Sequence, residues 1–315
     1  MSRPVAGRPG APPGDHPDGG TRATPVASGG ATDRGGRWLF PAVPLGRLAA
    51  FRTLAYLYIP LDLLLFTPWT LWHKDVPGDL YRPLLAGRIL PLPVPTESLV
   101  LGVFAALLVM SVVAAAGRAP RAVGWLVFGL YVEWMLIAMS YGKVDHDRFA
   151  YLVALAALPT AGAARWGDAT RSERAGWALR VTQVAVIATY FLAAFAKLRF
   201  GGLAWLNSAT LTWAVMRRGT VFGDWLMDLP GAMVAMQWFI LAFELGSPLV
   251  LVVSERVRRR IVGCLYGFHA GVYAMVTIAF WPHLVALAAF LPLERVRPID
   301  AARAARARPA RVAGP

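Results

Sequence analysis

Between residues 48 and 293 the chain is a series of apolar runs, each about as long as a bilayer is thick, and the joints between them carry much of the charge. About 20 apolar residues cross a ~30 Å hydrocarbon core as a helix. A helix satisfies its own backbone N–H and C=O groups where no water can do so. The runs are residues 48–66, 98–116, 122–140, a short one at 149–164, 179–198 and 232–253. The last stretch, 261–293, would measure ~50 Å as one helix, too long for a single crossing. Pro282 offers a break, leaving 261–280 and a short closing segment. The expected fold class is an all-α polytopic membrane bundle of about eight segments, or seven and a re-entrant piece.

Composition agrees with that reading. Hydrophobic residues make up 57% and charged residues 16%, against roughly 45–50% and about 25% in soluble domains. A soluble enzyme is a poor fit. The net charge of +14 follows from arginines in the tails and the joints. Arg118 and Arg121 follow the second run, Arg165, Arg171, Arg174 and Arg180 follow or open the joint after the fourth, and Arg256, Arg258, Arg259 and Arg260 follow the sixth. These joints alternate along the chain, so they share one side, which the positive-inside rule makes cytoplasmic. Both termini then lie inside. The charge reports orientation, and no nucleic-acid partner is expected. Residues 1–40 read as a disordered cytoplasmic arm with no early apolar stretch of a signal peptide, 41–296 as the membrane domain and 297–315 as a basic tail. The single cysteine, Cys264, excludes an intramolecular disulfide. There is no phosphate-binding glycine loop and no serine-hydrolase elbow.

Ionisable residues at membrane depth are costly and so mark candidate sites. Asp62 lies in the first run, Glu133 in the third, Lys197 in the fifth, Glu244 in the sixth and His269 in the seventh, with His283 near its boundary. Asp145, His146 and Asp147 lie in the joint after the third. Thr182, Ala185, Thr189 and Ala193 precede Lys197 at spacings of three or four, a small-residue stripe suited to helix contact. It turns Lys197 toward the bundle interior, where a desolvated lysine can serve as base or nucleophile; a snorkelling lysine is the alternative. Three adjacent ligands cannot converge from 145–147, so no metal is expected, and an N-cap role for either aspartate competes with a site role. A histidine and an aspartate close to Lys197 is the better reading. Gly263, Gly267 and Gly271 form a ladder that predicts tight packing of the seventh segment, with His269 roughly opposite. Trp69, Trp72, Trp205, Trp213, Trp225 and Trp281 fit an interfacial belt; they could also line a site for a flat apolar ligand.

Two segments carry a family resemblance. Tyr190-Phe191-Leu192-Ala193-Ala194-Phe195-Ala196-Lys197-Leu198, followed by Trp205-Leu206, resembles the Tyr-Phe-x-Ala-Gly-x-x-Lys-Leu…Trp-x-x-Gly segment of the horizontally transferred transmembrane (HTTM) domain. That domain is the membrane half of vitamin K-dependent gamma-carboxylases. Asp145 to Leu152 resembles its Asn-His-x-x-x-x-x-Leu segment. Arg52 with Asp62, Glu244-Leu245 and His269 follow in the family's order. Asp145 stands in place of Asn, and Ala194 in place of Gly. The resemblance implies Lys197 as the base and His146 as its assistant, acting on a quinone-like lipid in a carboxylase- or epoxidase-like reaction. Asp145, Asp62, Glu133, Glu244, His269, Tyr190 and Trp205 would bind substrate or support the pair. The chain ends without the family's large lumenal peptide-binding domain, so peptide carboxylation is not expected. A permease that relays protons through its buried carboxylates, or an accessory protein packing beside a partner, are the other function classes. A bound lipid would be sought between the fifth and seventh segments.

Overall fold

The computed structural model describes residues 32–90, 92–142 and 144–296. The arm up to residue 31 and the basic tail at 297–315 lie outside the described residues. The described residues are mostly helical, 77% helix and 2% strand. The helices are α1 (Thr32–Leu39), α2 (Leu45–Leu61), α3 (Leu85–Ile89), α4 (Glu97–Ala115), α5 (Ala122–Met139), α6 (Phe149–Ala161), α7 (Glu173–Ala196), α8 (Thr210–Arg218), α9 (Val221–Met227), α10 (Ala232–Gly246), α11 (Glu255–Val276) and α12 (Trp281–Leu287).

Among the described residues five helical stretches are long and apolar enough to cross a membrane: Leu45–Phe66, Glu97–Ala115, Ala122–Met139, Glu173–Gly201 and Ala232–Leu251. They point to a membrane protein. Three of the eight expected segments fall short. α6 has 13 residues, ~20 Å of helix. α11 has 22, but Arg256, Arg258, Arg259 and Arg260 occupy its first turns and leave a shorter apolar remainder. The closing segment, Trp281–Phe290, is an apolar helical stretch of only 10 residues. The break before it comes earlier than Pro282: α11 ends at Val276, Thr277 takes a left-handed conformation with φ 55°, and Pro282 then sits in the first turn of α12, where its missing N–H costs nothing.

α2, α4, α5, α6 and α7 pack in succession around the main core, and α12 lies against α2, α6 and α7. α10 packs on α7, while α11 contacts the short α8 and α9. Inside the stretch read as a disordered arm, α1 is helical: its Trp38 carbonyl accepts from Arg180 at 3.1 Å and the guanidinium lies over the Trp38 ring. A two-residue antiparallel bridge, β1 (Val43–Pro44) with β2 (Arg171–Ser172), ties the starts of α2 and α7. Gly176 is required there, because a Cβ would fall 1.5 Å from the Pro41 carbonyl oxygen.

The glycine ladder of α11 does not pack as expected. Cβ atoms on Gly263, Gly267 and Gly271 would meet nothing within 4 Å. The ladder lies on an exposed face beside Cys264, whereas His269 turns inward.

Candidate functional site

Two of the long helices loosen at a charge. α2 passes into a π-helical turn, Asp62–Phe66, and α7 into another, Lys197–Gly201. A π turn adds a residue and re-aims the side chains beyond it, and such turns are common at functional sites.

At the end of α7 the small-residue stripe turns inward. Thr182 and Ala185 are buried, and Thr189, Ala193 and Lys197 follow along the wall of a cavity of about 260 Å³. The cavity stands between α7 and α11, with Glu244 of α10, Trp205, the turn at His146–Asp147, and His283 of α12 completing its wall. Six of the nine residues expected at the site line it together: Lys197, His146, Glu244, His269, Tyr190 and Trp205. The remainder of the wall is mostly apolar, including Leu211, Ile240, Phe268, Val272 and Phe280.

Lys197 donates to both oxygens of Glu244, at 2.7 Å each. The side chains are 23% and 8% exposed. The ammonium also lies 5.5 Å from the centre of the Trp205 ring, a cation–π contact. Trp205, read from sequence as a belt residue, thus forms part of the cavity wall. The direct partner of Lys197 is therefore Glu244. His146 shares the cavity wall but makes no hydrogen bond to Lys197 among those of the lysine.

His146 is exposed and stands where three cavities meet. Besides the first, it lines a more polar one of about 380 Å³ with Asp145, Asp147, Arg148 and Arg218. It also lines a flank of about 530 Å³ with Phe149, Thr189, Leu192, Ala193, Ala196 and Lys197. Asp145 therefore borders the polar cavity rather than the apolar one. It occupies the N-cap position of the His146–Arg148 turn without a side-chain cap bond. Burial pushes the Asp147 carboxyl above the usual carboxylate range.

The turn is held by a residue that sequence reading passed over. Arg148 donates at 2.7 Å to Asp62 Oδ2, and the two side chains are 6% and 0% exposed. Tyr131 donates to the same oxygen at 2.9 Å, Tyr58 to Oδ1 at 3.2 Å, and Arg148 also donates to the Tyr131 hydroxyl at 2.7 Å. Asp62 lies outside the three cavities and acts on the site through Arg148, by fixing the turn that presents His146. Glu133 also lies outside them, half-buried on α5, with no hydrogen-bond partner for either oxygen.

His283, noted in the sequence only as a boundary residue, completes an aromatic cluster on the far wall. Its ring centre lies 4.9 Å from that of Tyr190 and 5.2 Å from that of His269. His269 Nε2 shares a 2.6 Å hydrogen bond with the Tyr190 hydroxyl. Among the described residues no group of three or more His, Cys, Asp or Glu is arranged to hold a metal.

No family model, curated protein or solved structure matches the chain.

Proposed function

We propose that the protein is an HTTM-like membrane protein whose apolar cavity holds a quinone-like or other lipophilic molecule, with Lys197 as its base. The observation that carries this reading is the Lys197–Glu244 pair set in an apolar wall. Glu244 receives the proton of the ammonium, and the amine so uncovered takes a proton from the bound molecule. Trp205 holds the lysine end by its ring face, and His146 stands at the mouth as the second proton-handling group. The segments around Lys197 and His146 that resemble the carboxylase membrane domain support a related oxidative or carboxylating chemistry on a lipid.

The same reading sets the topology. α6 begins at the His146 turn and ends beside Arg52, which donates to the carbonyls of Gly162 and Ala164. α12 begins at the cavity, and the chain beyond it returns to Arg47, which meets Glu294. Counted this way the chain makes eight passes, two of them, α6 and α12, by helices shorter than a bilayer is thick. The arginine joints and both termini then face the cytoplasm and the cavity faces outward.

The test is consumption of a reduced quinone by the purified full chain, with Lys197→Ala beside wild type. Loss of turnover by two orders of magnitude or more is expected, and unchanged turnover overturns the assignment. A proton-coupled permease is the second reading, favoured by the unpaired oxygens of Glu133 within an apolar helix. Uptake driven by a pH gradient in proteoliposomes, lost in Glu133→Gln, would establish it instead.

A further inference from the structure

Away from the cavity beside Lys197, arginines gather where α5 begins and α6 ends. The joints at 116–121 and 162–174 carry five arginines against two acids. Arg121, just before α5, and Arg174, in the first turn of α7, line a cavity of about 570 Å³ that opens at the surface. The rest of its lining is alanine, glycine and proline, with no acid. Both arginines are exposed. Among the described residues neither guanidinium has a hydrogen bond or an ion pair.

A third cation lies behind the lining. Arg52 of α2 is 4% exposed, and an arginine keeps its charge when buried. Among the described residues it donates to two carbonyls, Gly162 at 3.4 Å and Ala164 at 2.7 Å, and to no carboxylate. Arg121 reaches the same glycine: a Cβ on Gly162 would stand 3.5 Å from its Nε and its Nη2. Two guanidiniums thus flank one residue of the cavity lining, and no described carboxylate compensates either. Charges taken out of water are normally paired, and like charges that share a neighbour repel. An anion seated in the cavity relieves both costs.

We propose that this cavity holds the phosphate of an anionic membrane lipid, gripped by Arg121 and Arg174 and favoured by the charge of Arg52 behind them. The inference is independent of what the cavity beside Lys197 holds. The guanidinium fork matches two phosphate oxygens at once, and basic pockets between membrane helices bind anionic headgroups. α5 is one of the stretches long enough to cross a membrane, so its first residues stand at headgroup level. From the cavity an exposed face runs up α5: Ala122, which lines the cavity, then Trp125, Leu126 and Gly129. Spacings of three and four keep these residues on one side. That face suits an acyl chain, which a free phosphate lacks. The lining also sets the choice of headgroup. Choline and ethanolamine would bring a cation among arginines with no acid to receive it, whereas phosphatidylglycerol brings only its negative charge.

The probes are dioleoyl phosphatidylglycerol and dioleoyl phosphatidylcholine, which share acyl chains and differ in net charge. Each is titrated into the full chain in dodecyl maltoside, and bound lipid is counted by native mass spectrometry. Wild type should take its first phosphatidylglycerol about tenfold more tightly than its first phosphatidylcholine, the worth of one charge-assisted hydrogen bond. Arg121→Gln with Arg174→Gln should bring that ratio close to one. Thermal unfolding in lipid-free detergent should not change, because both side chains are exposed and unpaired. Arg118→Gln with Arg165→Gln removes the same charge from the same joints outside the cavity and should keep the preference. Equal binding of the two lipids to wild type overturns the site, as does a preference that survives Arg121→Gln with Arg174→Gln. An equal loss in the control pair shows diffuse attraction to a basic surface and also overturns it. Millimolar sn-glycerol 3-phosphate should leave the bound lipid in place. Its displacement would make the site one for a soluble phosphate, and the lipid assignment fails.

Discussion

Lys197 is tolerated in an apolar wall because Glu244 meets it with both oxygens. Removing one member of such a pair strands the other, at a cost of about 3–5 kcal/mol, whereas replacing both by apolar groups of similar volume is often neutral. Glu244→Leu alone should therefore lower the thermal stability of the purified protein sharply. Lys197→Met with Glu244→Leu should recover most of the loss while remaining inactive, which separates the chemistry of the pair from its contribution to the fold. The Asp62–Arg148 pair obeys the same rule from a different place. Asp62→Ala should destabilise by a similar ~3–5 kcal/mol and reduce turnover indirectly, by releasing the turn that carries His146. Sequence reading found Lys197 because a small-residue stripe led to it, and the end of that stripe, Thr189 and Ala193, does line the wall. It counted Asp62 among the residues that bind substrate or support the pair because any acid at membrane depth is suspect. It could not see that Arg148, 86 positions away, neutralises it. His283 was passed over for the converse reason: beside Pro282 it read as a boundary residue, and burial of a short helix against three others has no local signature.

At the level of elements, glycines of one kind do opposite work. Gly176 of α7 admits the Pro41 carbonyl, so Gly176→Ala should cost about 1–3 kcal/mol as overpacking does and loosen the bridge between β1 and β2. Gly267 of α11 faces open space. Gly267→Ala should leave unfolding unchanged or stabilise by up to ~1 kcal/mol through helix propensity, and thermal unfolding of the two variants side by side checks both. A loss at Gly267 would show that another chain covers that face. The apolar runs were legible because membrane helices need length and hydrophobicity alone. Their count was less so: an apolar run does not reveal where arginines claim the first turns of a helix, as in α11, or where a short helix such as α6 is screened by its neighbours. The π turns at Asp62 and Lys197 were invisible, since each closes its helix and leaves no run of helix beyond it in which a shifted apolar phase could be read.

Across the whole molecule the two ends of the bundle are fastened together. Arg47, in the first turn of α2, donates to both oxygens of Glu294 at 2.7 and 2.8 Å. That contact holds the Glu294 carboxyl below its usual range, chiefly through the hydrogen bond from Arg47. A carboxyl with a lowered folded pKa contributes stability that is complete above its free value near 4.5 and lost as pH falls through the folded value. The pair is partly exposed, so its worth is at most ~1 kcal/mol. Stability measured between neutral pH and pH 3 should fall less steeply in Glu294→Gln than in wild type, and an identical profile would show that the clasp carries no free energy.

The flank shared by His146, Thr189, Ala193 and Lys197 with Phe149, Leu192 and Ala196 places the lysine one side chain away from surfaces that are exposed and apolar. In a bilayer those surfaces face acyl chains. A ligand arriving by that route never crosses water, and its effective concentration is its mole fraction in the lipid rather than its molarity in the buffer. Apparent affinities would then scale with the lipid-to-protein ratio, and a weak aqueous binder with high partition would occupy the cavity as fully as a tight one.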